Sequence, residues 1–112
     1  MNIKEKTIDK VTVIYIEGSV DANISSEVEV SVMEIIDNNP LNKIIINFSD
    51  VTYMSSPGIS VLVTCIKKLG ETGRKLILSN VNPLILKVLK TVELTDLIDM
   101  YNLEEEALRS IG

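Results

Sequence analysis

The central segment of the chain combines an apolar run with a helical repeat. Residues 44–46 are three consecutive isoleucines, which is typical of a strand that is covered on both faces. Further on, apolar residues recur at the spacing of one helix face, at Ile59, Leu62, Val63, Ile66 and Leu69. We therefore predict a buried strand at residues 43–48 that leads, through a polar turn, into a helix.

The sequence Ser55-Ser56-Pro57-Gly58 lies at the start of that helix. Serine is a favourable helix N-cap because its hydroxyl group accepts a hydrogen bond from a free backbone amide. Proline is tolerated at the first helical position because the N–H that it lacks would have no partner there. We predict that Ser56 caps the helix and that Pro57 is its first residue. The first amides and the positive end of the helix dipole would then face the edge of the sheet.

The flanking segments alternate between strand and helix patterns. Near the N-terminus, two β-branched runs joined by Asp9-Lys10 predict an antiparallel hairpin. A later helix begins at Asn82-Pro83, and its predicted apolar side consists of Leu84, Ile85, Val88, Leu89 and Val92. The predicted strands are residues 3–8, 11–16, 43–48, 75–78 and 97–101, and the predicted helices are residues 23–37, 57–69, 83–92 and 103–111.

This order predicts an α/β fold with a mixed β-sheet, in which an N-terminal antiparallel hairpin is followed by alternating helices and strands, with about four helices. The length of 112 residues predicts a single domain over residues 1–112. No apolar stretch reaches the ~20 residues that a bilayer crossing needs, and the N-terminus lacks the pattern of a signal peptide. We therefore expect a cytoplasmic protein without a membrane partner.

Composition excludes several classes of function. The chain has no histidine and only one cysteine, which removes histidine-based acid–base catalysis, metal sites built from His and Cys, and Cys–His nucleophile pairs. A net charge of −5 argues against nucleic acid as a partner. Cys65 lies on the apolar side of its helix, where we expect a buried thiol, and Glu104-Glu105-Glu106 is expected to be a solvated first turn. We predict neither an enzyme nor a cofactor-binding protein.

Two motifs resemble a known family. The first comprises Asn47, Phe48, Ser49, Val51, Tyr53, Met54, Ser56, Gly58 and Ile59, and the second is the turn Glu17-Gly18-Ser19-Val20-Asp21. Together they resemble the STAS domain of the bacterial anti-sigma factor antagonists, and the resemblance covers nearly the whole chain. It implies a STAS-like fold and a regulatory protein that binds an anti-sigma factor of the serine-kinase type and frees a sigma factor. It also implies a switch, in which the kinase phosphorylates a serine just before the helix glycine.

The chain departs from the family at the phosphorylated position. In an alignment on Met54 and Gly58, Pro57 stands where the family has the phosphorylated serine, and Ser55 stands where it has an acidic residue. Proline has no hydroxyl group, so the usual switch cannot operate at this residue. Ser56 is the nearest substitute phospho-acceptor, although the same residue is our predicted helix cap.

The resemblance places the partner-binding surface at the rim formed by the Asp21 turn and the start of the central helix. Asp21 has two interpretations that the sequence does not separate: part of the partner-binding face, or a turn or capping residue before the first helix. An alternative function is a STAS scaffold subunit of a larger signalling assembly that is never phosphorylated, and Pro57 favours it. The predicted partner-binding residues are Asp21, Asn23, Ile24, Ser55, Ser56, Pro57, Gly58, Ile59 and Ser60.

Overall fold

The computed structural model describes residues 2–111, which form a layered α/β fold. Its strands are β1 (Ile3–Ile8), β2 (Val11–Ile16), β3 (Gly18–Val20), β4 (Lys43–Asn47), β5 (Val51–Met54), β6 (Leu76–Ser79) and β7 (Ile98–Tyr101). Its helices are α1 (Ser25–Asn38), α2 (Ser56–Gly70), α3 (Pro83–Thr91) and α4 (Glu104–Ile111), with a short 3₁₀ helix at Thr95–Leu97. Among the described residues no helix is long and apolar enough to cross a membrane.

Five strands form the main sheet, in the order β1-β2-β4-β6-β7. β1 and β2 are an antiparallel hairpin in which Ile3 pairs with Ile16 and Ile8 pairs with Val11. Asp9 makes the tight turn with a positive φ of 53°, a conformation that aspartate tolerates better than most residues. The other three pairings are parallel. The predicted mixed sheet with an N-terminal hairpin and four helices is therefore confirmed.

The two faces of this sheet have different cores. Residues such as Ile14, Ile46 and Leu78 pack with α1, α2 and α3 in the larger apolar cluster. On the opposite face, Val13, Ile45 and Ile77 pack against α4 in a smaller cluster. Successive residues of a strand point to opposite faces, so a strand covered on both sides needs an uninterrupted apolar run. This requirement explains the three consecutive isoleucines of β4.

A second, two-stranded parallel sheet joins β3 to β5. Residues 51–54 were predicted to be part of a polar turn, and neither strand was predicted. Gly18, which has a positive φ of 101°, begins β3 and is separated from the end of β2 by one residue. Its amide donates to the Asp50 carbonyl oxygen over 2.8 Å. These strands of three and four residues are too short to show a clear alternation, which is why their pattern did not predict them.

The first turn of α4 differs from the expected solvated acidic face. Glu105 is exposed as predicted, but Glu104 lies over the sheet and accepts hydrogen bonds from the Tyr15 hydroxyl group over 2.5 Å and from Asn47 Nδ2 over 3.0 Å. Lys6 Nζ lies 2.9 Å from the second carboxylate oxygen. Burial favours a higher pKa for Glu104, but the hydrogen bonds from Tyr15, Lys6 and Asn47 bring its pKa below the usual value. Glu104 therefore holds α4 to three strands.

Candidate functional site

The carbonyl group of Val20, at the end of β3, connects the two segments of the predicted rim. Its oxygen accepts hydrogen bonds from the Ser55 amide over 3.0 Å and from the Ser55 hydroxyl group over 3.2 Å. Ser55 immediately precedes α2, and Asp21 immediately follows Val20. The structure thus brings the Asp21 turn and the start of α2 together.

The helix cap is Ser55, so the prediction that Ser56 is the cap is wrong. Ser55 has an extended backbone with φ −80° and ψ 174°, and its Oγ accepts a hydrogen bond from the Gly58 amide over 3.2 Å. Ser56 is the first helical residue and Pro57 the second. Proline is tolerated there because the second helical N–H also has no partner four residues earlier. Two adjacent serines offer the same capping chemistry, so the sequence did not decide between them.

Gly58 allows α2 to approach β3 closely. A Cβ atom at this position would lie 2.7 Å from the Val20 carbonyl oxygen and 3.1 Å from the Val20 Cγ1 atom. Real Cβ atoms essentially never come so close to a carbonyl oxygen, so only glycine fits here without a displacement. The glycine requirement of the motif therefore arises from packing between the helix tip and the end of β3.

Asp21 has a defined structural role in the turn before α1. Its Oδ1 atom accepts hydrogen bonds from the Asn23 amide over 2.9 Å and the Ile24 amide over 3.2 Å. Its carbonyl oxygen accepts a further hydrogen bond from the Ser25 amide over 3.0 Å. The turn interpretation of Asp21 is therefore correct, and its carboxylate keeps a partly exposed position beside the helix tip. The turn also delays the start of α1 to Ser25.

The remaining predicted site residues divide into exposed and buried groups. Ser56, Pro57 and Ser60 are exposed on the first turns of α2, and Asn23 is exposed in the Asp21 turn. The Ser60 hydroxyl group donates to the Ser56 carbonyl oxygen over 3.2 Å. Ile24 and Ser55 are partly buried, whereas Gly58 and Ile59 are buried. The last two therefore support the rim more than they contribute surface to it.

An exposed apolar groove next to this rim was not predicted. It lies between β5 and α3, where Tyr53, Leu84, Val88 and Val92 are 55%, 74%, 40% and 47% exposed. Two depressions of about 270 Å³ and about 320 Å³ form it, and the second is also lined by Ser55 and Ser56. An exposed apolar groove bordered by polar residues is a candidate interaction site.

The predicted apolar side of α3 comprised Leu84, Ile85, Val88, Leu89 and Val92. Only Ile85 and Leu89 are buried. Asn82 fixes the position of α3, because its Oδ1 caps the helix at the Ile85 amide over 2.9 Å and its Nδ2 donates to the Val51 carbonyl oxygen over 3.2 Å. α3 carries five leucine, isoleucine or valine side chains in nine residues, which is more than one face of a helix can bury. This excess of apolar residues is the feature of the sequence that could have indicated an exposed groove.

The site offers surfaces for contact and little chemical reactivity. Cys65 is buried in α2, and burial raises the pKa of its thiol to about 12, so the thiolate nucleophile is not populated at neutral pH. Residues 2–111 contain no cluster of carboxylates or thiols able to hold a metal ion. The Ser55 and Ser60 hydroxyl groups donate to backbone carbonyl groups, and the chain contains no histidine to activate a serine.

Comparisons with known proteins agree with this fold. A family model described as STAS domain matches residues 2–107. The anti-sigma-B factor antagonist of Listeria monocytogenes is 26% identical over 106 residues, which cover 95% of this chain and 91% of the relative. A relative of Listeria innocua with the same name matches to the same extent.

Solved structures show the same architecture. An anti-sigma factor antagonist from Mycobacterium paratuberculosis has a TM-score of 0.81 at 22% identity, covering 97% of this chain and 92% of the other. The Bacillus cell fate determinant SpoIIAA in its phosphorylated form has a TM-score of 0.75 at 21% identity, covering 99% and 100% of the two chains. At these identities the likeness concerns the fold.

Proposed function

This chain belongs to the STAS domain family, and on that premise we propose that it is an anti-sigma factor antagonist that binds an anti-sigma factor and thereby frees a sigma factor. The relatives from Listeria carry the name of this activity. On this proposal the protein acts in the cytoplasm by binding another protein, and it catalyses no reaction. We expect the partner to be an anti-sigma factor of the serine-kinase type or another regulatory protein.

The observation that carries the proposal is the continuity of the rim with the apolar groove. Ser55, Ser56 and Ile59 line the same depression as Val88 and Val92. A protein partner would cover an apolar centre and a polar edge, which is the usual anatomy of a protein–protein interface. Tyr53, at 55% exposure, is the aromatic side chain of this surface, and aromatic residues are enriched among those that dominate binding energy.

We propose that binding through this surface operates without the usual phosphoserine switch. Pro57 is exposed at the helix tip and has no hydroxyl group. The Ser55 hydroxyl group is partly buried, donates to Val20 and accepts from Gly58, so it is poorly available to a kinase. Ser56 is exposed and does not cap the helix, which makes it the remaining candidate acceptor at the tip.

Intact-mass measurement after incubation with an anti-sigma kinase and ATP tests the switch. We expect wild type to gain no phosphate and Pro57→Ser to gain one, because the substitution restores a hydroxyl group at an exposed helix tip. Ser56→Ala serves as the matched control in both backgrounds. Rapid single phosphorylation of wild type that is lost in Ser56→Ala would contradict the proposal and would identify Ser56 as the acceptor.

A pair of valine substitutions tests the binding surface. Val88→Asp introduces a charge into the groove and is expected to weaken binding of the anti-sigma factor by more than about tenfold, or about 1.4 kcal/mol. Val30→Asp is the control, since Val30 is 58% exposed on α1 and lies outside the groove. Equal affinities of the two variants, measured by titration calorimetry, would exclude the groove as part of the interface.

A second candidate function is a scaffold subunit of a larger signalling assembly, and the exposed proline at the helix tip favours it. Such a subunit would be constitutively competent to bind, so phosphorylation would play no part. Size-exclusion chromatography of the complexes separates the two functions. An antagonist would form a small complex with an anti-sigma factor, whereas a scaffold would elute with an assembly of several different proteins.

A further inference from the structure

A second cavity lies on the opposite face of the main sheet, at the end where β2 and β4 begin. Its volume is about 540 Å³, and its apolar lining comprises Ile8, Val11, Leu41, Leu108 and Ile111. It shares no lining residue with the rim or with the β5–α3 groove. This volume lies within the range of about 300–1,000 Å³ that is typical of small-molecule sites.

The cavity lies beside the part of the sheet face that α4 covers. Leu108 and Ile111, from the second half of this eight-residue helix, line one side of it. The register places Ile8 beside Val11 and Val11 beside Lys43, so these three side chains form a row along one face. Leu41 is 86% exposed and Ile8 is 43% exposed at the open side.

Two lysines border this apolar lining. Lys10 and Lys43 are both exposed at the cavity, and the Lys43 amide donates to the Lys10 carbonyl oxygen over 2.9 Å, which keeps the two residues adjacent. Asp9 is the acidic residue of the lining. Within residues 2–111, neither lysine takes part in a salt bridge. The border therefore carries a net charge of +1.

The positive charge continues into a neighbouring depression, which shares Leu41 and Lys43 with the cavity. Arg74 lies there and donates from Nη1 to backbone carbonyl groups over 2.9 Å and 2.7 Å, and within the described part of the chain it takes part in no salt bridge. Lys75 is paired with Asp99 over 2.9 Å. This end of the sheet face is thus positively charged, in a chain with a net charge of −5.

We propose that this cavity binds a single-chain aliphatic carboxylate of medium length. The hydrocarbon chain would lie against Val11, Leu108 and Ile111, and the carboxylate would lie between the amines of Lys10 and Lys43. Burial of each further methylene group should tighten binding by about fourfold, so a chain of several methylenes supplies most of the affinity. The lysines select an anionic head group over a neutral or cationic one.

The charge and the shape of the cavity argue against two other occupants. A second copy of the chain would bring two positively charged borders together, and like charges across an interface are unfavourable. A membrane surface would meet a concave cavity, whereas membrane-binding surfaces insert protruding apolar side chains between the lipids. A soluble amphiphile that enters the cavity matches both its shape and its charge.

Titration calorimetry of the full chain with decanoate below its micelle-forming concentration tests the proposal. We expect saturable binding of one decanoate, at least about tenfold weaker binding of decanol, still weaker binding of decyltrimethylammonium, and no detectable binding of acetate, which lacks the chain. Lys43→Glu should weaken decanoate binding by more than about tenfold, and so should Leu41→Asp. Both residues are exposed, so these variants are expected to fold, and a circular dichroism spectrum would verify this.

Lys90→Glu is the charge-matched control, since Lys90 is exposed on α3 away from the cavity and should bind decanoate like wild type. Amide chemical shifts in the bound state should change at Val11 and Ile111. Equal binding of decanoate and decyltrimethylammonium, unchanged affinity in Lys43→Glu, or association only with anionic lipid vesicles would each overturn the proposal. Binding of an anti-sigma factor is not needed for this test, so its result is independent of the proposed function.

Discussion

Substitution of two glycines of α2 by alanine should change stability in opposite directions. Alanine is favoured over glycine inside a helix by about 1 kcal/mol, and this gain applies to both Gly58 and Gly70. At Gly70 a Cβ atom would meet nothing within 4 Å. We therefore expect Gly70→Ala to stabilise the protein by about 0.5–1 kcal/mol, toward the lower value because the residue ends the helix.

At Gly58 the gain in helix propensity is smaller than the steric cost of the added methyl group. The new Cβ atom would lie 2.7 Å from the Val20 carbonyl oxygen, a backbone atom that also accepts two hydrogen bonds from Ser55. Overpacking of this kind costs about 1–3 kcal/mol. Displacement of the carbonyl group would weaken those hydrogen bonds, each of which contributes about 1 kcal/mol. We expect a net loss of about 1–3 kcal/mol, from the overpacking and hydrogen-bond costs less the helix gain.

Urea denaturation followed by circular dichroism at neutral pH measures both effects. A decrease in the midpoint for Gly58→Ala and an increase for Gly70→Ala, with unchanged denaturant dependence, would support the argument. A Gly58→Ala protein as stable as wild type would refute it, because the helix tip would then have room to move away from β3.

Three further predictions concern single side chains. Ser55→Ala should lower the free energy of unfolding by about 0.5–2 kcal/mol through loss of the cap, while Ser56→Ala should change it by less than about 0.5 kcal/mol; thermal denaturation of both variants would verify the cap. Glu104→Gln should destabilise by about 1–3 kcal/mol near neutral pH. The pKa of Glu104 in the folded protein is lowered, so its contribution to stability is present above the usual value of 4.5 and is lost as the pH falls through the folded pKa. The difference in unfolding free energy between wild type and Glu104→Gln should therefore shrink in acid. Because burial raises the pKa of Cys65, its thiol contributes stability that is fully present below pH 9.0 and is lost as the pH rises toward about 12. The buried thiol should react with iodoacetamide only when the protein unfolds, and fast alkylation of the folded protein would contradict this.

The elements with strong local patterns could be predicted from sequence. The hairpin of β1 and β2 was evident because two β-branched runs flank a two-residue turn, and both strands have the predicted bounds. β4 was evident from its isoleucines, although it ends at Asn47, one residue earlier than expected. The later strand also differs by one residue, at Leu76–Ser79 instead of residues 75–78. Such shifts arise because the pairing partner, which the sequence does not show, decides where a ladder ends.

The candidate site was harder to predict because its key interactions are between distant segments. The motif at residues 55–58 indicated where the rim lies. The Val20 carbonyl group that binds Ser55 is 35 residues away in sequence, and a backbone group leaves no mark in the residue pattern. Exposure of the α3 residues depended on how Asn82 is attached to β5. Apolar periodicity indicates that a helix has an apolar side, but it does not state how much of that side a neighbour covers.

The short helix α4 has a consequence for proteolysis. It covers Val13, Ile45 and Ile77, and it is linked to the preceding strand by Asn102-Leu103, both exposed. A single cut in this linker would allow α4 to dissociate, since among residues 2–111 its attachment to the sheet consists of the polar contacts of Glu104 and a few apolar contacts. The shortened chain would keep its larger core but would present an uncovered apolar sheet face to other molecules. Limited digestion at this linker should therefore turn a dispersed protein into one that aggregates.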